Sequence, residues 1–150
     1  ADGTATAQDW MPQEYDIIST ALISENYAYI GGRSEELDAY IVKAYDMEGN
    51  HLLTFGEKGK DGDDWIAYVS QIMEIPEGFF GIDANMRDLY IWGPDASVLG
   101  SVEAPDLFGA RYAWIAGAAK QDDGSILVAL TQDRDDDSAT ELLLYRLSGF

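Results

Sequence analysis

The amino-acid sequence predicts an all-β fold built from three four-stranded antiparallel sheets of similar size. Two observations carry this prediction. Landmarks recur about every fifty residues, and each period contains short apolar runs bounded by turn-forming residues. The chain has 150 residues, of which 47% are hydrophobic, and this is typical of a globular protein with a sizeable core.

The repeat is defined by aromatic landmarks that keep their order along the chain. Trp65-Ile66-Ala67 recurs as Trp114-Ile115-Ala116, and Phe55-Gly56 recurs as Phe108-Gly109. We expect Trp65 and Trp114 to occupy equivalent positions and to pack between neighbouring sheets, together with Trp92. An aromatic residue also lies near the end of the third apolar run of each period: Tyr45, Trp92 and Tyr145.

Each period contains strand-like runs separated by Gly, Pro, Asn and Asp, the residues that form hairpin turns. Residues 46–50, 93–96 and 121–124 are such turns. No segment longer than about a dozen residues keeps a helical apolar period with caps, which disfavours helices. The predicted strands cover residues 17–24, 27–30, 40–45, 51–55, 65–75, 79–82, 89–92, 98–102, 114–120, 125–130 and 141–145.

Repeated four-stranded units of this length are the signature of β-propeller blades. One twisted four-stranded sheet cannot cover its own apolar faces, whereas sheets stacked radially bury them. We therefore predict three blades, at about residues 15–58, 64–109 and 113–150, preceded by a leader or closing strand at residues 1–14.

The passage Tyr45-Asp46-Met47-Glu48-Gly49-Asn50, running into Leu53-Thr54-Phe55-Gly56, resembles the strand, Asp-x-x-Gly turn and Phe-Gly passage of the NHL and related six-bladed propeller families. Pro76-Glu77-Gly78 followed by a strand and Asp83 resembles a second passage of these families. The resemblance covers about residues 15–150 and implies a six-bladed ring, of which this chain supplies three blades.

Three blades do not close a ring, because propellers need roughly four to eight. We expect the third blade to lack its outer strand and two apolar faces to remain open. Either the remaining blades belong to a longer parent chain, or a second copy completes a six-bladed homodimer. Residues 4–10 are a candidate for the missing strand. A sandwich or barrel of about ten to eleven strands is the alternative architecture.

Charge and residue usage exclude several classes of function. The chain carries 28 acidic and 9 basic residues, a net charge of −19, which argues against nucleic-acid binding. It has no cysteine and one histidine, so disulfides and most Cys- or His-based metal sites are excluded. No apolar stretch is long enough to span a membrane as a helix. The small, polar start at residues 1–7 predicts an exported or cell-surface protein, with a cytoplasmic location left open.

Acidic loops supply the candidate site residues. Asp61, Asp63 and Asp64 surround a glycine and could present oxygens to Ca²⁺, although a solvated turn explains them too. Asp16, Asp64 and Asp83 follow or precede strands and are candidates for ligand binding at the ring axis.

These features predict a non-catalytic module that binds a protein, a small molecule or a carbohydrate, and that associates with itself or with further blades. Two alternatives remain. One is a propeller glycosidase or lyase that uses acidic residues at the ring axis. The other is the propeller part of a solute-binding lipoprotein.

Overall fold

A computed structural model describes residues 17–56, 65–86, 88–109, 113–133 and 140–149. Within them the chain is almost entirely β-structure, arranged as three successive antiparallel meanders. The predicted fold class is confirmed. The candidate sites Asp16, Asp61, Asp63 and Asp64, and the leader at residues 1–14, lie outside the described residues.

The first sheet contains β1 to β4 in chain order, and the second contains β5 to β8. The third sheet has the order β11-β10-β9 and contains three strands within the described ranges. The strands are β1 Ile17–Ile23, β2 Ala28–Ser34, β3 Ala39–Tyr45, β4 His51–Phe55, β5 Val69–Ile75, β6 Gly78–Asp83, β7 Asp88–Trp92, β8 Val98–Glu103, β9 Ala113–Lys120, β10 Ile126–Asp133 and β11 Thr140–Leu147.

One short helix, α1 at Ala104–Phe108, joins β8 to β9 and was not predicted. Pro105 lies in its first turn, where the missing N–H costs no helical hydrogen bond. Gly109 ends the helix in the left-handed region at φ 67°, which is also the region that Gly56 adopts after Phe55. No helix in the described parts of the chain is long and apolar enough to cross a membrane.

The sheets stack on one another with their first strands side by side, since β1 contacts β5 and β5 contacts β9. These three strands form the inner side of the stack, and β4 and β8 form its outer side. The hairpins that follow β1, β5 and β9 lie at one end, which we call the turn end. β4 and β8 end at the opposite end, which we call the connection end.

Two apolar layers hold the sheets together. Between the first and second sheets, the Phe55 ring lies 5.2 Å from that of Phe79 and 5.0 Å from that of Trp92, which is fully buried as predicted. Between the second and third sheets, Phe80 packs with Val128 of β10. Because successive strand residues point to opposite faces, neighbouring Phe79 and Phe80 serve different layers.

The Trp-Ile-Ala repeat does not mark equivalent positions, so that prediction is wrong. The structural repeat is a β-bulge in the first strand of each sheet, at Ser19, Ser70 and Ala116. Trp65 lies in the connection before β5, whereas Trp114 lies inside β9, two residues before the bulge. Both side chains are exposed rather than packed between sheets: Trp65 lies outside the strands, and Trp114 pairs with Thr131 on the face opposite to that of Leu130.

Candidate functional site

Asp83 ends β6, and its carboxylate is fully buried. One oxygen accepts hydrogen bonds from the backbone N–H groups of Ala67 at 2.5 Å and Tyr68 at 3.1 Å. The other accepts from Asn85 at 2.9 Å and Met86 at 3.0 Å. These contacts tie the connection before β5 to the loop after β6. They give Asp83 a structural role, and its ligand role stays a prediction.

The predicted Ca²⁺ site stays a prediction as well, because its three carboxylates lie outside the described residues. Among the residues that the structure does describe, no group of three or more His, Cys, Asp or Glu side chains is placed to hold a metal ion.

A polar cluster joins the sheets at the turn end of the inner side. Glu74 of β5 accepts hydrogen bonds through Oε1 from Ser24 Oγ at 2.5 Å and from Tyr29 OH at 2.8 Å, both in the first sheet. Its backbone oxygen accepts from Lys120 Nζ of the third sheet at 2.8 Å. Burial raises the pKa of the Tyr29 hydroxyl, and the bond to Glu74 raises it further. The cluster therefore fixes how the three inner strands sit together.

Two turns at the same end, residues 93–97 and 121–125, share one backbone hydrogen-bond pattern and an aspartate that contacts a serine two residues later. In residues 121–125, Asp123 accepts hydrogen bonds from the Ser125 hydroxyl and backbone N–H and pairs with Arg146 at 3.0 Å. In residues 93–97, Asp95 bonds Ser97 in the same way. The serine hydroxyl is the main reason why the pKa of each carboxyl lies below its ordinary value. These carboxylates therefore stabilise the turns in which they lie.

The outer face of the third sheet is an exposed apolar surface. Trp114 of β9 is 56% exposed, and Leu142 and Leu144 of β11 are 64% and 66% exposed. Strand pairing places Leu142 beside Thr131 and Leu144 beside Ala129, so these side chains share one face. The alternate residues Val128 and Leu130 point the other way and are fully buried. We call Trp114, Leu142 and Leu144 the outer face.

The sequence predicted two open apolar faces, and in the described residues exposed apolar side chains lie on both the first and the third sheet. On the far side of the first sheet, Ile18 and Ile23 of β1 are exposed. Ile30, Ile41 and Tyr45, which lie further into the sheet, are buried. Because the middle of that side is buried, the outer face of the third sheet is the stronger candidate for a contact surface. The continuous apolar run at residues 142–145 of β11 is the sequence signal for it, because a strand that is apolar on both faces needs cover on both.

A second feature is a cleft of about 450 Å³ between the outer parts of the second and third sheets. Its lining is mostly apolar, and Arg146 at the end of β11 is the charged residue in it. Its apolar lining includes Leu89 and Ile91 of β7, Gly100 and Val102 of β8, Leu107 of α1 and Leu147 of β11.

Comparison with known proteins does not identify this chain, since no protein-family model matches it and no curated protein matches it significantly.

Proposed function

We propose that the chain is a non-catalytic protein-binding module, in which propeller-like sheets present an apolar face for stacking against another β-sheet. The outer face carries this proposal. It is the free side of a sheet whose opposite side is already packed on its neighbour, and large exposed apolar patches mark interaction sites. The six-bladed ring implied by the NHL-like motifs would supply the matching sheet.

A second copy of the chain is the partner that we propose to occupy the outer face. The face itself is apolar, and the exposed charged side chain next to it in β11 is Arg146, whose charge is paired with Asp123. Long-range repulsion between two chains of net charge −19 opposes association. Salt screens that repulsion within about 10 Å at 0.1 M, so association should strengthen as salt is added.

Size-exclusion chromatography with light scattering tests this proposal. We expect a mass of about twice 16.5 kDa, favoured by added salt. The double variant Leu142→Lys, Leu144→Lys should be monomeric, because it places two desolvated charges in the contact. Leu99→Lys, at an exposed leucine of β8, is the matched control and should still dimerise. The proposal would be overturned if the wild type stayed monomeric at high protein concentration both with and without added salt, or if the double variant still dimerised.

A small-molecule or carbohydrate ligand and an exported location stay predictions of the sequence, as do the two alternative functions given with them.

A further inference from the structure

The third sheet ends at β11 within the described residues, whereas each of the other two sheets continues to a fourth strand. Because the inner strands of all three sheets lie side by side, the fourth strands β4 and β8 lie on the outer side of the stack. Opposite β8 there is no strand of the third sheet in the described ranges. The apolar cleft lies at this place, between β8 and the end of β11.

The interface between the first and second sheets shows what a fourth strand contributes at the outer side of the stack. Phe55 of β4 is fully buried against Trp92, and Leu53 packs on the same layer. The second interface has no corresponding strand among the described residues, so Leu107 is 42% exposed. The cleft is thus the space that a fourth strand with apolar side chains would fill.

From the edge and the cleft together, we propose that residues 142–147 of β11 accept an extended segment of a partner protein as the fourth strand of the third sheet. The segment would pair with β11 through backbone hydrogen bonds and place alternate apolar side chains in the cleft. This is the mode of recognition known as β-strand addition. It uses the edge of the third sheet, whereas the dimer contact proposed above uses the outer face of that sheet.

The length and direction of the partner segment follow from the fold. The existing fourth strands have five and six residues, so a segment of that length fits. An antiparallel neighbour of β11 runs from the turn end to the connection end. Its last residues would then lie near Glu103, at the end of β8, and Asp106 of α1.

The charge of the partner segment follows from the same placement. Glu103 and Asp106 are exposed acidic residues on a chain with 28 acidic and 9 basic residues. We therefore expect a segment that ends in lysine or arginine, because complementary charge favours encounter and fixes direction. Residues 4–10, the candidate from the sequence for the missing strand, contain no lysine or arginine and one aspartate, so they fit this acidic edge less well, whether from this chain or from a second copy.

Fluorescence anisotropy with a defined peptide tests the proposal. The probe is a capped, labelled peptide in which threonine alternates with leucine, phenylalanine and valine, followed by two lysines. We expect saturable binding to the 150-residue chain and hydrogen-exchange protection of alternate amides in residues 142–147. A peptide with the same side chains but N-methylated at alternate residues, so that one edge cannot pair, should not bind.

Variants of the chain locate the binding site. Leu107→Lys should weaken binding by about tenfold or more, as expected for an interface anchor, and Leu99→Lys, outside the cleft, should not. Asp106→Lys, at an exposed position, should weaken binding of the lysine-ended peptide and leave binding of a glutamine-ended peptide unchanged. If Leu107→Lys does not fold, Asp106→Lys is the variant that tests the site. The proposal would be overturned if the peptide did not bind or if the methylated peptide bound equally well. It would also be overturned if a folded Leu107→Lys variant, or Asp106→Lys in its place, bound the lysine-ended peptide as the wild type does.

Discussion

The hydroxyl of Tyr29 donates a hydrogen bond over 2.8 Å to the carboxylate of Glu74, across the boundary between the first and second sheets. The two residues are 45 positions apart in the chain. The bond therefore links one period of the repeat to the next, and it does so from a tyrosine whose side chain is buried in the apolar layer.

Removing this bond should destabilise the stack. Tyr29→Phe keeps the ring contacts but leaves Glu74 without one donor, and a bond to a charged group contributes about 1.5–3 kcal/mol. Chemical denaturation measures the change in the free energy of unfolding. Tyr27→Phe is the control, because the described residues contain no hydrogen-bond partner for its hydroxyl. A double-mutant cycle with Glu74→Gln should show coupling between Tyr29 and Glu74, and additive effects would contradict the assignment.

Gly81 of β6 should not accept a side chain. A Cβ built at this position would overlap the six-membered ring of Trp92, which is fully buried and stacks on Tyr90 at 5.1 Å. We expect Gly81→Ala to cost about 1–3 kcal/mol of unfolding free energy through overpacking. Gly100→Ala, in β8 with no atom within 4 Å of the added carbon, is the matched control and should change stability little. Equal stability of the two variants would show that the Trp92 ring moves without cost.

Asp83→Asn should destabilise the chain more than a surface substitution does. The amide nitrogen would replace one of two oxygens that together accept four backbone N–H groups, so donors would face a donor. We expect a loss of about 1.5–3 kcal/mol, measured by thermal or chemical unfolding. Asp106→Asn, at an exposed position on α1, is the control. If Asp83→Asn left stability unchanged and abolished binding of a ligand, the structural role would be wrong and the ligand role supported.

The Asp123 carboxyl should titrate below its ordinary pKa of 3.8, chiefly because Ser125 hydrogen bonds to the ionised form. A pKa that is lower in the folded state contributes stability above the unfolded-state pKa, and this contribution is lost as the pH falls through the folded-state pKa. We therefore expect stability to fall on acidification below about pH 4. Ser125→Ala should raise the Asp123 pKa, as measured by NMR titration of the carboxyl carbon. The Asp95 pKa, in the matched turn, should not move, and a shared shift would point to a global change.

Much of the β-structure was predictable because its causes are local. Residues 46–50 form a turn because Gly49 adopts φ 89°, a conformation that glycine reaches without strain. Continuous apolar runs in β10 and β11, bounded by polar residues, indicated strands for the same kind of reason. The strand bounds differ from the prediction by a few residues, apart from residues 65–68, which are not a strand. The proline at the start of α1 and the glycine at its end are residues typical of helix ends. A five-residue helix is nevertheless too short to show a helical period in the sequence.

The sequence by itself determined the strands, their turns and the division into three units, since these depend on neighbours within a few residues. The tertiary structure alone decided which apolar faces are covered. Val128 and Leu144 are both apolar residues in strands of one sheet, yet only Val128 meets a second sheet. It also decided that the Asp83 carboxylate is held by the backbone, because two of its four donors lie 15 and 16 residues earlier in the chain. Contacts of that kind depend on how sheets stack, which no local pattern encodes.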